Sequence, residues 1–510
     1  MSAATGFEFA DAAPIRCDLD CSENFMASAA KRIASATNPI HMPTFNKFTA
    51  FVDEWLEKNL QPLAYDTDLS FETWIEETNY SRRRKEQLRQ IFDERLDLPT
   101  SSPAKTVKMF GKDETYADWK YMRGILPRSD YFKIFLGPFM KAIEKEVYKL
   151  PFFIKHVPET LRPQYVMEHV YQPGALNFVS DHTSFEAAFT AQVMSNLEKR
   201  LYMYMISNLP EKKEFEELVD VICSVNHVEG KGCFFKTEGR MSGEMCTSLG
   251  NGFSNLMVML FTLQEANCTS IRGVVEGDDG LFTFFGEPPT VDDFAKLGFR
   301  LKLEIFEEFS NASFCGMIFD QDDKIILTDA IDSVLKMGWS SRQYTMSSEK
   351  TRKILLRSKA LSYAHMYYNC PIIGAASRAA LRLTSHVSEN ELKRFRSKER
   401  ISIYEFEERE INEKCGLPST FFTPMNTRVL YERLYGVSVS DQLAIEEWFD
   451  GLKCLKNLSC PLLSRYFNVQ NFVYNDIYVV REPHLFGYPP IPDTRVLGDV
   501  THVMNNVYII

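Results

Sequence analysis

Glu276-Gly277-Asp278-Asp279-Gly280 joins two short apolar runs, residues 271–276 and 280–285. The runs read as strands, and the Gly-Asp-Asp between them reads as the tip of a hairpin. Two adjacent carboxylates at a tight turn repel each other. Divalent magnesium or manganese would remove that cost. An Asp-Gly surface turn would look the same in isolation.

Asp181 supplies a second carboxylate. It closes the apolar run 175–180 (Ala-Leu-Asn-Phe-Val-Ser) and opens Asp181-His-Thr-Ser-Phe185-Glu186. One strand-end aspartate beside a strand-end pair could hold two metals about 3.5–4 Å apart, one activating a hydroxyl and one holding leaving phosphate oxygens. Taken alone, Asp181 also reads as a helix N-cap. The third element is Ser242-Gly243-Glu-Met-Cys-Thr247-Ser-Leu-Gly250-Asn251, ahead of an apolar helix at about 247–265. Its Ser-Gly step lets the backbone approach a base pair or ribose. Thr247 and Asn251 are four apart and share a helix face. That face suits a nucleotide ribose, or a capped helix whose Thr and Asn bond the backbone.

The rest of the chain sets the frame. It has 510 residues, 45% apolar and 25% charged, with a net charge of −11. That is ordinary globular composition and excludes collagen-like, mucin-like and wholly disordered chains. The acidic balance argues against a nucleic-acid partner. The strip 101–141 runs the other way. It carries Lys105, Lys108, Lys112, Lys120, Arg123, Arg128, Lys133 and Lys141 against four acids, a net of +4. A local cationic strip suits a triphosphate, and Gly124 and Pro127 make a regular helix there a poor alternative. Eleven scattered cysteines fit a reducing compartment, with the cytoplasm as default. Cys17 and Cys21 lack the second cluster a zinc site needs. Neither a signal peptide nor a membrane span is expected.

Residues 44–63 and 70–96 read as amphipathic helices, the second carrying the run Arg82-Arg83-Arg84-Lys85 as a solvated face. Leu98-Pro-Thr-Ser-Ser-Pro103 reads as a soft joint. A helix is expected over 185–208 and an extended arm over 232–241. Helices dominate after 340, at 348–368, 374–385, 389–414 and 440–456.

Taken together and in this order, the three elements resemble motifs A, B and C of viral RNA-dependent RNA polymerases. Sixty-one residues separate Asp181 from Ser242 and 36 separate Ser242 from Asp278. The wording Arg240-Met-Ser-Gly-Glu-Met-Cys-Thr-Ser-Leu-Gly-Asn251 is most similar to the positive-strand tombusvirus-like group, with flavivirus-like enzymes more distant. Phe110-Gly-Lys112-Asp-Glu114 and Lys120-Tyr-Met-Arg123-Gly-Ile-Leu-Pro-Arg128 resemble motif F. Leu297-Gly-Phe-Arg-Leu-Lys302-Leu-Glu resembles motif D, and Ser313-Phe-Cys315-Gly316-Met317 resembles motif E. The likeness spans roughly residues 105–320.

The resemblance implies an α+β right-hand polymerase with fingers, an antiparallel palm sheet with helices, and a mostly helical thumb. It assigns 1–175 to an N-terminal extension and fingers, 176–195 to palm motif A and 196–235 to a fingers insertion. Palm motifs B to E take 236–335, and the thumb and tail take 336–510. It implies two-metal nucleotidyl transfer with Mg2+ or Mn2+ on Asp181, Asp278 and Asp279, and Lys302 as proton donor to pyrophosphate. Glu186, Ser242, Gly243, Thr247 and Asn251 would hold the ribose. Glu186 departs from the aspartate usual at that place. Lys112, Lys120, Arg123 and Arg128 would hold the triphosphate, and Cys315 and Gly316 would grip the primer.

The cations Lys350, Arg352, Lys353, Arg357 and Lys359 recur in one helical stretch and could face RNA phosphates or only solvent. In the tail, Tyr474, Tyr478, Phe486 and Tyr488 could stack on an initiating nucleotide or pack on the thumb. Expected partners are RNA template and product, NTPs, and other viral replication proteins or host membranes reached through a companion. The expected location is host cytoplasm, at membrane-associated replication sites. Competing readings are a catalytically silent RNA-binding replication subunit and a reverse transcriptase-like polymerase. No helicase, protease or capping motif is present.

Overall fold

The structure is a computed structural model describing residues 3–10, 12–33, 37–116, 120–398, 422–455 and 458–467. Tyr474, Tyr478, Phe486 and Tyr488 of the tail, and the end of the expected helix 389–414 from residue 399 on, lie outside these residues.

Four antiparallel strands organise the centre: β1 (Leu176–His182), β2 (Thr269–Glu276), β3 (Asp279–Phe285) and β4 (Leu301–Phe306), in the order β2-β3-β1-β4. Phe178 lies opposite Phe282, and Val179 opposite Leu281. Because side chains alternate along a strand, these pairs face opposite ways. Phe178, Phe282 and Phe284 enter one core, while Val179, Val274 and Leu281 enter another with Ile154, Val166 and Phe314. With both faces covered, the runs read as nearly continuous apolar sequence rather than alternation. Burying each ring stabilises by roughly 1.5–3 kcal/mol.

Helix α1 (Thr247–Glu265) packs on the first face, and every residue from Leu249 to Leu263 is buried. A helix apolar all round belongs inside a core. Its expected span matches. The expected helix 185–208 is broken into Phe185–Ala188, Ala191–Asn196 and Glu198–Met205. Thr190 caps the middle piece by accepting from the Val193 N–H. Likewise 70–96 splits into Phe71–Glu77 and Arg82–Asp93, with the Ser81 hydroxyl accepting from Arg84 N–H. The basic run there is engaged locally. Arg82 pairs with Glu86, Arg84 with Asp130 and Lys85 with Glu76.

The long helix Asp130–Val147 had no clear signal, because Gly137 and Pro138 interrupt its pattern. The interruption serves packing, since a Cβ at Gly137 would collide with Trp74. The joint at 98–103 turns into a short 3-10 segment, Ser102–Lys105, and Tyr131 Oη binds the N–H groups of Leu96 and Asp97 just before it.

α2 (Glu349–Met366), α3 (Ile373–Leu383) and α4 (Val439–Gly451) form a C-terminal helical unit with its own core. The chain's beginning joins it. Ala3–Ala4 pairs with Trp339–Ser340, and Phe7 and Phe9 are buried against Phe449, Trp448 and Phe467. Residues Ile15–Arg16 then pair with Thr115–Tyr116 in a separate core. Within the segment 1–175 expected as an N-terminal unit, Ala3 to Phe9 thus pack on the C-terminal helical unit. Two phenylalanines two residues apart were too short a signal to show this. Among the described residues, no helix is long and apolar enough to cross a membrane.

Candidate active site

β2 and β3 are joined by the two residues Gly277 and Asp278, flanked by the pair Glu276–Asp279. Gly277 takes φ +62° and Asp278 does not enter the positive region, the pattern of a type II′ hairpin. Gly280 lies opposite Ser180, and Lys302 lies opposite Asp181. Extending the β3–β1 register by one residue sets Asp279 opposite Asp181. Glu276, Asp279, Asp181 and Lys302 therefore form one row across four strands, on the face shared by Val274, Leu281 and Val179. Directly opposed side chains are roughly 4.5–5.5 Å apart at Cβ.

The row is electrostatically tense. Part of Asp279 is open to solvent, yet the protein around it pushes its carboxyl up to about 6. Withdrawal from water is the largest cause, and the charges of Asp278, Glu276 and Asp181 add to it. A hydrogen bond from the Cys315 thiol pulls the other way. Asp181 is also raised, chiefly by desolvation and Glu304, while Lys302 and Lys120 oppose the shift. Arg162, a buried residue, pairs with Glu276 at 3.1 Å.

Asn255 fixes the turn from the opposite face. Its Nδ2 donates to the Asp278 carbonyl at 2.9 Å and to Ser180 Oγ at 3.1 Å, and its Oδ1 contacts His182 Nε2 at 3.1 Å. Neither Asn255 nor Arg162 was singled out from sequence. For Asn255 a signal existed: Thr247, Asn251 and Asn255 recur every four residues on one face of an otherwise apolar helix.

A family model of viral RNA-dependent RNA polymerases matches residues 132–405. The chain belongs to that family. No curated protein matches it. Membership implies a right-hand polymerase fold that binds RNA template and NTPs. The match covers the whole carboxylate row and begins after the Lys112–Arg128 segment.

Such polymerases use divalent metals. In this polymerase, the all-oxygen donors Asp181, Asp278 and Asp279 suit magnesium or manganese. Withdrawal from water, with the neighbouring carboxylates adding to it, raises Asp279, and a cation at the row would offset both. Among the described residues, no three Asp, Glu, His or Cys side chains are already gathered into a coordination shell. The backbone brings the three aspartates to one sheet end, and their side chains still have to converge.

The Ser242–Gly243 loop is bound to the basic segment. Leu126 N–H donates to Ser242 O at 2.6 Å. Gly243 sits at φ +128°, where a Cβ would stand 2.9 Å from Ile125 Cγ2 and 3.1 Å from Leu126 N. Thr247 Oγ1 accepts from Gly243 N–H and contacts Met241 O, both at 3.3 Å. Its hydroxyl closes the loop rather than standing free for a ribose. Asn251 is buried, and its Oδ1 has no partner among the described residues. Glu186 Oε1 meets Arg32 at 3.2 Å. Behind the loop, Arg240 is fully buried against Glu198 at 2.6 Å and stacks over Phe189.

Other expected contacts are placed differently. Lys112 and Arg123 flank Glu114 at 2.8 and 3.7 Å, half open to solvent. Lys120 is exposed, and its charge reaches Asp181. Arg128 is the correction. It is buried against Glu244, the Ala104 carbonyl and Asn226, so it braces the loop and is closed to a triphosphate. Lys302 is exposed and pairs with Glu304. Cys315 and Gly316 both take positive φ, and the Cys315 thiol turns to Asp279 rather than to an open surface. On α2, Arg357 holds the carbonyls of Leu381 and Thr384 at the end of α3, a packing role in place of the expected RNA contact. Lys350 pairs with Glu391 and Lys353 with Glu349. Arg352 Nε is buried without a partner among the described residues. Lys359 caps the Lys336 and Trp339 carbonyls.

Proposed function

We propose that this chain replicates a viral RNA genome by template-directed nucleotidyl transfer. The row Asp279–Asp181–Lys302 beside Asp278 carries the reading. It puts acids suited to divalent cations and a lysine on three adjacent strands. In the reaction a primer 3′-oxygen bonds to the NTP α-phosphorus, the bridging bond breaks, and pyrophosphate leaves. Magnesium or manganese held by Asp181 and Asp278, with Asp279 assisting, would ease deprotonation of the 3′-hydroxyl and stabilise charge on the leaving oxygens.

The chain's own residues do the rest. Asn255 and Ser180 hold the Asp278 turn. Lys120, Lys112 and Arg123 present positive charge to the triphosphate. Glu186, Ser242, Gly243 and Asn251 present acceptors and backbone to the ribose, and Lys302 stands ready to protonate pyrophosphate. In this reading the sheet is the palm, the segments around 106–126 and 226–237 are fingers, and α2 to α4 are the thumb. The motif wording favours the tombusvirus-like group, and the site of action is the host cytoplasm at membranes reached through companion proteins.

The test is Asp278→Ala in a template-directed synthesis assay with magnesium or manganese. Loss of RNA synthesis with an unchanged melting curve supports the reading, and retained synthesis rejects it.

A further inference from the structure

Arg32 lies 154 positions before Glu186, on a π-helical turn, Ala29–Ile33, whose ends Ala29 and Ile33 are buried. Its Nη2 donates to Glu186 Oε1 at 3.2 Å. Beside it, Ser184 takes φ +51° and donates through Oγ to the Lys31 carbonyl at 3.1 Å. The backbone of Glu186 is held independently, since its carbonyl accepts from Arg240 N–H at 3.0 Å. Gly239, at φ +85°, keeps that approach open, for a Cβ there would stand 3.3 Å from Glu186 O. Thus the main chain at 186 is tied to the arm leading into the Ser242 loop, and the side chain is tied to the N-terminal segment.

We propose that Arg32 is a specificity-positioning residue that aims Glu186 at the 2′-hydroxyl of an incoming nucleotide. This rests on the ribose-binding reading of Glu186. A glutamate has one more rotatable bond than an aspartate and loses more freedom when fixed. The guanidinium occupies Oε1 and supplies that restraint beforehand. Oε2, which has no partner among the described residues, is left to accept from the ribose hydroxyl. Pre-ordering an acceptor favours the substrate that carries the donor over the one that lacks it.

The experiment compares kcat/KM for ATP and for 2′-dATP on a primed template, using the full chain. Arg32→Ala should lower the ATP preference by about tenfold, mainly through a higher KM for ATP. Arg32→Lys, which keeps a charged donor, should restore part of it. Glu186→Ala, which removes the acceptor, tests the underlying reading separately. If Glu186→Ala leaves the preference intact, Glu186 does not read the ribose. If Glu186→Ala collapses the preference while Arg32→Ala leaves it at the wild-type value, the role of Arg32 is overturned and that of Glu186 stands. An equal loss on both substrates in Arg32→Ala, or no recovery with Arg32→Lys, marks a purely structural contact and also rejects the proposal.

Discussion

The guanidinium of Arg128 and the carboxylate of Glu244 form an ion pair in which both side chains are only 3% exposed. It joins the strip expected to meet triphosphate to the loop expected to meet ribose. Leu126 N–H on Ser242 O and the close approach at Gly243 reinforce the same seam.

Removing one partner should leave the other charge buried and unpaired. Glu244→Ala is expected to lose about 3–5 kcal/mol of unfolding free energy. Arg128→Met with Glu244→Leu should recover most of it, because an apolar replacement leaves no orphan charge. Urea denaturation of the two variants checks this. A single variant as stable as wild type would mean the pair is open to water in solution.

Asn255→Leu removes the donor to the Asp278 carbonyl, the donor to Ser180 Oγ and the partner of His182. A buried polar group left unsatisfied costs about 1–3 kcal/mol. The larger effect is expected on kcat, because the turn carrying Asp278 loses its anchor on α1. Single-turnover kinetics together with a melting curve separate the two. A variant that loses stability but keeps wild-type kcat would show that Asn255 only packs.

The pH dependence of stability should reveal two opposed groups. Asp279 is raised from 3.8 to about 6, so its contribution is full below the unfolded value and fades as pH rises through about 6. His182 is lowered from 6.5 to about 4, chiefly by burial, so its contribution is full above 6.5 and fades as pH falls through about 4. Between those limits the two slopes oppose each other. Asp279→Asn removes one and should expose the His182 slope, up to about 1.4 kcal/mol per pH unit. Parallel stability profiles for the variant and wild type would contradict this. Magnesium should stabilise wild type more at neutral pH than near pH 5, since protons and cation compete for the same carboxylates.

Much of this was legible in sequence where chemistry and local pattern coincide. The hairpin around Gly277-Asp278, the strand ending at Asp181 and the helix after Thr247 all follow from apolar runs broken by glycines and acids. The long-range partners were not legible. Arg128, Arg357 and Arg32 look alike as isolated cations, yet Arg128 is buried on Glu244, half-buried Arg357 holds the carbonyls of Leu381 and Thr384, and Arg32 meets a carboxylate 154 positions away. A cation's role depends on which acid the fold brings to it, and local periodicity carries no such information. Thr247 left two readings open for a similar reason: a hydroxyl at a helix start serves ligand or loop equally well until its partners, here Gly243 N–H and the Met241 carbonyl, are known. The +4 strip also changes meaning, because Arg128 is neutralised internally while Lys112, Arg123 and Lys120 keep exposed charge.

Cys315 offers the most local control over the carboxylate row. Its thiol donates to Asp279 and favours the ionised carboxylate, while burial and the Asp279 charge push the thiol itself far up. Cys315→Ala removes the donor, so the Asp279 carboxyl should titrate at a higher pH than about 6. If ionised Asp279 assists catalysis, the acidic limb of the kcat/KM profile should move to higher pH in the same direction. Cys315→Ser keeps a hydroxyl donor and should leave the limb near its wild-type position. Measuring the three profiles at saturating template, with magnesium held constant, isolates the hydrogen bond from loss of packing. Identical limbs for the alanine and serine variants would mean that the thiol fills space beside Asp279 without setting its protonation.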